Sequence, residues 1–503
     1  MTLSFGLLLL VALVNPSAAK PGLGPRGWAP GDVPISLSSA AVTALLWTAY
    51  LLGALAVAVG LWRLSGGGGS RFPSWSSVRL PAGVRDWLWP LALGALALVT
   101  SPIGSADHLN YAAYGRIEAL GGDPYVVPPI TWAGGADPVT SAVQPPWTMT
   151  PSVYGPFGTA LQTLSSLVGQ DNLRQTVWVW QLLIVAAWLL VRFLLRRAAA
   201  DDMAQARVDL LWTANPLVFG VAVLGAHVDL IATALALAAV LLAARRPSIA
   251  GLVLGAAVST KITYGIVGLA ILWSWRSLPR RPLVRNGVAL AVSSLAVFVS
   301  LHLWAGPHVF DQLLKAGKGV SLATALRTVV NLLSAVMPLG AARSVVSAVS
   351  VVAVVVLAWG LSRLVRPRPA VQQSAAVQQV STTYQDTAAQ QTQSAMTATF
   401  VLATAYALGA PYALPWYDVL TWATLPLLCA SALDGILLAR LAVMAMAYVP
   451  GRVVAMSQEV ESLTLGFRKV VGPLAAWLVW VAIAAVARRS WSRVPRPSRP
   501  RAS

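Results

Sequence analysis

The sequence predicts an all-α polytopic membrane protein, with about 11–13 transmembrane helices by span length. Three observations lead there. The chain of 503 residues is 57% hydrophobic and only 11% charged, with a mean hydropathy of +0.69, a composition no soluble domain carries. Apolar runs of roughly 17–25 residues, each able to cross a bilayer as a helix, recur along the whole length. The net charge of +19 collects in short clusters between those runs. That is the positive-inside pattern, so the charge reports topology and contact with anionic lipid, not nucleic acid.

Taken in order, "MTLSFGLLLLVALVNPSAA" has the short apolar core of a signal peptide but no basic start, and reads as a short first helix. A span over residues 35–61 leads to a Gly/Ser-rich loop carrying Arg63, Arg71, Arg79 and Arg85, hence cytoplasmic. The next span, 86–103, must exit, which makes residues 105–150 an external loop. Residues 176–195 return to Arg196 and Arg197, 208–224 go out to "GAHVDL", and 230–244 come back to Arg245 and Arg246. The run 249–273 has basic residues at both ends, so parity requires a hairpin or a broken helix with Lys261 near its apex. Residues 287–304 exit to a second external loop, 305–343, and 345–364 return.

Residues 1–365 thus form a transmembrane core, and the Gln/Ser/Thr-rich stretch 366–396 reads as a disordered cytoplasmic linker. Residues 397–487 supply the C-terminal membrane helices, and 488–503 a basic cytoplasmic tail. The single cysteine, Cys429, lies in an apolar run and reads as a packing residue. No internal repeat is evident.

Chemistry concentrates on the external side. In "GSADHLNYAAYGRIEALGGDPY", Asp107, Tyr111, Tyr114 and Glu118 fall on one face of a helix that Gly121 and Gly122 end. Asp107 is either a reactive carboxylate or the helix N-cap, a position that favours Asp. Arg116 could neutralise a phosphate or pair with Glu118 or lipid. Tyr111 and Tyr114 could stack on a sugar or belong to the interfacial aromatic belt. His227 and Asp229 could orient a substrate, hold a metal or cap the next helix; two such residues do not make a metal site. Lys261 lies within an apolar run, where a cation normally faces a cavity or a partner. "TPSVYGPF" and "GAPYALPWYD" break helices, which membrane depth tolerates where backbone lines a cavity, so Tyr154, Trp416 and Tyr417 are candidate lining residues.

One chemistry suits the set: transfer of a sugar from a lipid phosphate to a hydroxyl, with a carboxylate base and cations facing the leaving phosphate. The order of "SADHLNYAAYGRIEALGGDPY", "PPWTMTPSVYGPF", "NPLVFGVAVLGAHVDL", "AAVSTKITYG" and "YALPWY" resembles the polyprenyl-phosphomannose-dependent α-1,6-mannosyltransferases of actinobacteria, within the GT-C class of membrane glycosyltransferases. The resemblance spans roughly residues 3–417. It implies a GT-C-type helical bundle with external loop helices and Asp107 as catalytic base. It places His227, Asp229 and Lys261 toward the donor phosphate; on residue type and position Arg116 is expected to join them, with His108, Tyr111, Tyr114, Tyr154, Trp416 and Tyr417 lining the cavity. It further implies polyprenyl-phosphate mannose as donor, a mannan or glycolipid acceptor, inversion, no cofactor (a divalent metal staying open), and action at the outer face of the plasma membrane. The chain departs from the pattern at Val228, where Asn is expected, and at His108, where an apolar residue is expected. Arabinosyl or protein O-mannosyl transfer stays open within the class, and a lipid or sugar transporter or flippase outside it. The missing repeat and the one-sided polar residues weigh against transport.

Overall fold

The computed structural model describes residues 1–67, 82–317, 319–365, 382–452 and 454–492. These residues are predominantly helical, with no strand among them and irregular stretches over 14–38 and 120–155. Helix α1 (Thr2–Leu13) and α2 (Ser39–Trp62) flank an irregular segment; Ser38 caps α2 by accepting from the Ala41 N–H. Then come α3 (Ala82–Leu98), α4 (Asp107–Ala119), α5 (Pro156–Gly169) and α6 (Leu173–Ala198), the last capped by Asn172. Helices α7 (Asp202–Val208) and α8 (Pro216–Val218) each run on into a π-turn, and Asn215 between them caps α8. They are followed by α9 (Asp229–Ala243), α10 (Pro247–Thr260), α11 (Ile266–Ser274) and α12 (Arg280–Ala305). Beyond lie α13 (Asp311–Ala316), α14 (Ala325–Leu333), α15 (Leu339–Leu364) and α16 (Thr382–Gly409). The chain closes with α17 (Val419–Thr424), α18 (Ala432–Tyr448), α19 (Gln458–Gly466) and α20 (Gly472–Ser492).

The molecule is an all-α polytopic membrane protein. Among the described residues, five helical stretches are long and apolar enough to cross a membrane: Ser39–Gly66, Leu173–Ala198, Arg280–Ala305, Leu339–Leu364 and Gln458–Arg489. Of the other apolar runs, those through Asn215, Lys261 and the prolines around α17 are broken there, whereas α1, α3 and α9 are continuous but shorter. A helix the length of α10 rises about 21 Å, short of a hydrocarbon core about 30 Å thick. The run 249–273 is a broken helix, as its flanking charges require. Its halves run back past one another as a splayed hairpin, since a Cβ on Gly268 of α11 would lie 3.2 Å from the Leu254 side chain of α10; α10 packs further on α9 and α12, and α11 on α16.

Two further differences concern polar helices. Residues 156–169, without a long apolar run, form α5, whose inner face is Gly158, Thr159, Gln162, Ser165 and Ser166. Residues 382–396, expected as unstructured linker, open α16, because Gln391, Ala395 and Met396 give that polar stretch a buried face. The rest of the linker (366–381), most of the Gly/Ser loop (68–81) and the end of the tail (493–503) lie outside the described residues.

Buried ion pairs tie distant segments of the core. Arg207 forks onto Asp434 at 2.9 and 3.0 Å, and Arg440 onto Asp418 at 2.9 and 3.0 Å. Around the future site, α4 lies against α5 and α6, while α5 also touches α10. At Gly115 the α4–α5 approach is backbone on backbone: a Cβ there would sit 2.2 Å from the Gln162 carbonyl oxygen. No side chain fits at that position.

Candidate active site

Asp107 is the first residue of α4 and does not cap it. The cap position is Ala106, no side chain closes the turn, and the Asp107 N–H donates to Ser105 Oγ at 3.0 Å. The carboxylate is therefore available for another partner, and its Oδ2 lies 3.5 Å from Nδ1 of buried His227. His227 owes its place to a tight turn. A Cβ on Gly225 would meet the Val221 carbonyl at 2.2 Å and the His227 ring at 2.6 Å. Ala226 adopts a φ of 53°, and its carbonyl accepts from Trp180 Nε1 at 2.8 Å. On its flat side the imidazole stacks on Trp416, with centroids 3.6 Å apart.

Two residues on, Asp229 opens α9 and is almost wholly buried; Lys261 Nζ reaches it at 2.6 Å. Lys261 stands where α10 stops, in extended conformation, with the Gly155 N–H donating to the Thr260 carbonyl at 3.1 Å. Here again the backbones press together, because a Cβ on Gly155 would lie 2.2 Å from the Ser259 carbonyl. The Lys261 ammonium also sits 3.5 Å over the Tyr417 ring centroid, a cation–π contact that spreads its charge toward the cavity wall. A small cavity of about 20 Å³ lies there, lined among others by Asp229, Lys261, Tyr264, Tyr406, Tyr417 and Leu420.

The helix periodicity of α4 brings the tyrosines to the Asp107 side. Tyr111 meets Tyr154 edge to face at 5.0 Å and Trp180 at 5.0 Å. Tyr114 lies 6.2 Å from Tyr154 and donates its hydroxyl to the Thr150 carbonyl at 2.8 Å. In this setting Asp107 is pushed up to about 6, first by burial and then by the charge of Asp229; Ser105 and Lys261 pull the other way. Such a carboxylate is largely ionised at neutral pH and holds a proton far better than a free Asp.

Two sequence candidates stand apart from this group. Arg116 lies nine residues after Asp107, about 180° around the helix. Its guanidinium is taken by Asp137 at 2.9 Å and by Asp171, so it clamps the loop instead of facing the cavity. His108 is buried, with neither ring nitrogen hydrogen-bonded. Burial, with the charges of Arg452 and Lys20 beside it, holds its pKa down to about 3, so the ring is neutral. As for a metal, no cluster of three or more His, Cys, Asp or Glu occurs among the described residues, and Asp229 is already engaged by Lys261.

Comparison with known proteins adds the family. A family model described as alpha-(1->6)-mannopyranosyltransferase, N-terminal domain, matches residues 5–277. The chain belongs to that family. It is 30% identical over 267 residues to alpha-(1->6)-mannopyranosyltransferase A of Mycobacterium tuberculosis, covering 51% of this chain and 48% of that protein. It is 28% identical over 264 residues to a probable alpha-(1->6)-mannopyranosyltransferase of Mycolicibacterium smegmatis, covering 46% of each. The chain thus spans about half the length of the curated relatives it matches. No solved structure matches it. The family region holds Asp107, His227, Asp229 and Lys261, whereas Trp416 and Tyr417 come from beyond it.

Several residues of the site escape a linear reading. Trp180 sits inside an ordinary apolar span, and Tyr406 near the end of another. Tyr448 reaches Trp416 at 6.3 Å, and Arg468 lies 4.4 Å over the Tyr448 ring while donating to the Ala447 carbonyl at 2.7 Å. Arg468 is the informative one: unlike Arg207, Arg440 and Lys261, it makes no carboxylate pair among the described residues. Its one sequence signal was a basic residue, with Lys469, at the head of the last apolar run.

Proposed function

We propose that the chain is an inverting α-(1→6)-mannosyltransferase using polyprenyl-phosphate mannose, with a growing α-1,6-mannan or glycolipid as acceptor. The observation that carries this is the carboxylate of Asp107, raised to about 6, bordered by His227 and by the Asp229–Lys261 pair under an aromatic wall. Family membership supplies the mannosyl chemistry.

In this reading the acceptor hydroxyl oxygen attacks the anomeric carbon on the face opposite the phosphate. The carbon–phosphate oxygen bond breaks and its electron pair leaves with the phosphate. The hydroxyl proton passes to Asp107, whose pKa suits a base at neutral pH. His227, stacked on Trp416, stands beside the carboxylate, and the half-buried rings of Tyr154 and Tyr417 border the place of the sugar. The leaving phosphate gains negative charge, which needs cations. The charge of Lys261 is matched by Asp229, so the unmatched guanidinium of Arg468 joins it as the second phosphate-facing cation. Basic clusters at Arg196–Arg197 and Arg245–Arg246 lie across the helices from Asp107, which supports a plasma-membrane orientation with the site outside.

The test is mannose transfer in washed membranes, from polyprenyl-phosphate mannose to an α-mannoside. Transfer by wild type and none by Asp107→Asn at matched expression supports the reading. Equal transfer by both removes Asp107 from the chemistry, and none by either removes the donor or the acceptor.

A further inference from the structure

A second cavity borders other residues than those around Asp107. It is a groove of about 630 Å³ lined by Asn15, Arg26, Asp32, Val99, Arg174 and neighbouring Gly and Pro residues. That volume falls within the range of about 300–1,000 Å³ usual for small-molecule sites. Three helix ends build it: Asn15 follows α1, Val99 follows α3, and Arg174 opens α6. All three ends lie on the side from which α3 passes to Asp107.

The groove floor is rigid and carries unmatched charge. Asp32 accepts from Lys20 at 2.6 Å, Ser101 at 2.8 Å, Arg174 at 2.8 Å and Asn15 at 3.3 Å. Those contacts saturate the roughly four acceptor sites of a carboxylate. Lys20 is fully buried and also donates to the Ala12 carbonyl. Arg174 is buried with its Nε lacking any partner. Arg26 is exposed on the rim, and its one side-chain hydrogen bond among the described residues runs from Nε to the Ala29 carbonyl at 3.2 Å. Three cations thus face one carboxylate that has nothing left to offer. Depth gives the second half of the argument. Exposed Trp28 packs edge to face on Trp178, with centroids 5.4 Å apart, a pairing suited to the headgroup level. Leu10, Leu96 and Ile35, on the helices and loop around it, are exposed as well.

We propose that this groove binds the phosphate of a lipid headgroup from the leaflet on the Asp107 side. The terminal nitrogens of Arg26 take the phosphate oxygens as a fork, and the surplus charge of Lys20 and Arg174 holds the anion from below. The acyl chains run down the exposed apolar flank of α1 and α3. A bound lipid would also brace the active-site approach, because the Gly104 N–H donates to the Ala19 carbonyl at 2.8 Å, one residue from Lys20.

The experiment is native mass spectrometry of the delipidated full chain in detergent, titrated with phosphatidylglycerol, phosphatidylcholine or inorganic phosphate. Wild type should retain a phosphatidylglycerol adduct that Arg26→Gln weakens about tenfold or more, the worth of a lost charged hydrogen-bond pair. Arg26 is exposed and tied by one carbonyl, so the variant should fold. Arg246→Gln, an exposed arginine at the opposite end of the helices, should bind like wild type. Equal binding by wild type and Arg26→Gln overturns the proposal. Displacement of the lipid by equimolar inorganic phosphate also overturns it, leaving a site for free phosphate.

Discussion

Replacing Asp107 by Asn should give a more stable protein that no longer transfers sugar. The side chain is 18% exposed, and its pKa rises from 3.8 to about 6. The difference of about 2 units corresponds to about 3 kcal/mol at about 1.4 kcal/mol per unit. The sign follows from linkage. A carboxyl whose folded pKa is raised costs the fold nothing below 3.8, where both states are protonated. The cost grows as pH rises to about 6 and is constant above it. Asn is isosteric and never ionises, so it removes that cost together with the proposed base. The assay is thermal unfolding of both proteins in one detergent at pH 7.5 and pH 4, beside transfer in membranes. The variant should melt higher at pH 7.5, the gap should close by pH 4, and transfer should fall about 10²–10⁴-fold. A lower melting point at pH 7.5 would mean that the carboxylate supports the fold, and full transfer would mean that it is no base. Wild-type kcat/KM should also drop as pH falls through about 6, the direction expected for a base that must be ionised.

Five other outcomes follow from the same geometry. Lys261→Met alone should cost about 3–5 kcal/mol, because buried Asp229 loses its cation. Asp229→Asn/Lys261→Met should fold again yet show a raised donor KM, and an unchanged donor KM would remove Lys261 from phosphate binding. Arg468→Gln should raise the donor KM about tenfold with the acceptor KM unmoved, measured by varying each substrate in turn. Arg116→Gln should weaken the fold by about 1.5–3 kcal/mol through loss of Asp137, while the donor KM stays at the wild-type value. Gly115→Ala should drive α4 off α5 and yield little monodisperse protein on size exclusion, since a backbone carbonyl 2.2 Å from the new Cβ cannot step aside.

The candidate site was partly legible because several of its residues break a strong local rule. Lys261 is a cation in an apolar run, and the prolines near Trp416 interrupt another; both breaks occur in the structure. Helix α4 and its end at the Gly121–Gly122 pair follow from spacing and glycine chemistry, and the bounds are met. Arg116 misled because the sequence showed its charge without its neighbours: Asp137 lies 21 residues on and Asp171 farther still. Helix α5 was missed because its buried face is Gly, Thr, Gln and Ser, which hydropathy does not register.

By itself, then, the sequence determined what depends on composition and local period: an all-α membrane protein, the polar loop after the third helix, the broken helix at Lys261 and the family resemblance. Only the tertiary structure decided which groups meet. Asp107 faces His227 because Gly115 and Gly225 allow backbone contacts closer than any side chain permits. The cation of Lys261 is neutralised and that of Arg468 is not, a difference made by carboxylates far away along the chain. Burial and charge pairing are sums over neighbours in space, and no pattern along the chain contains them.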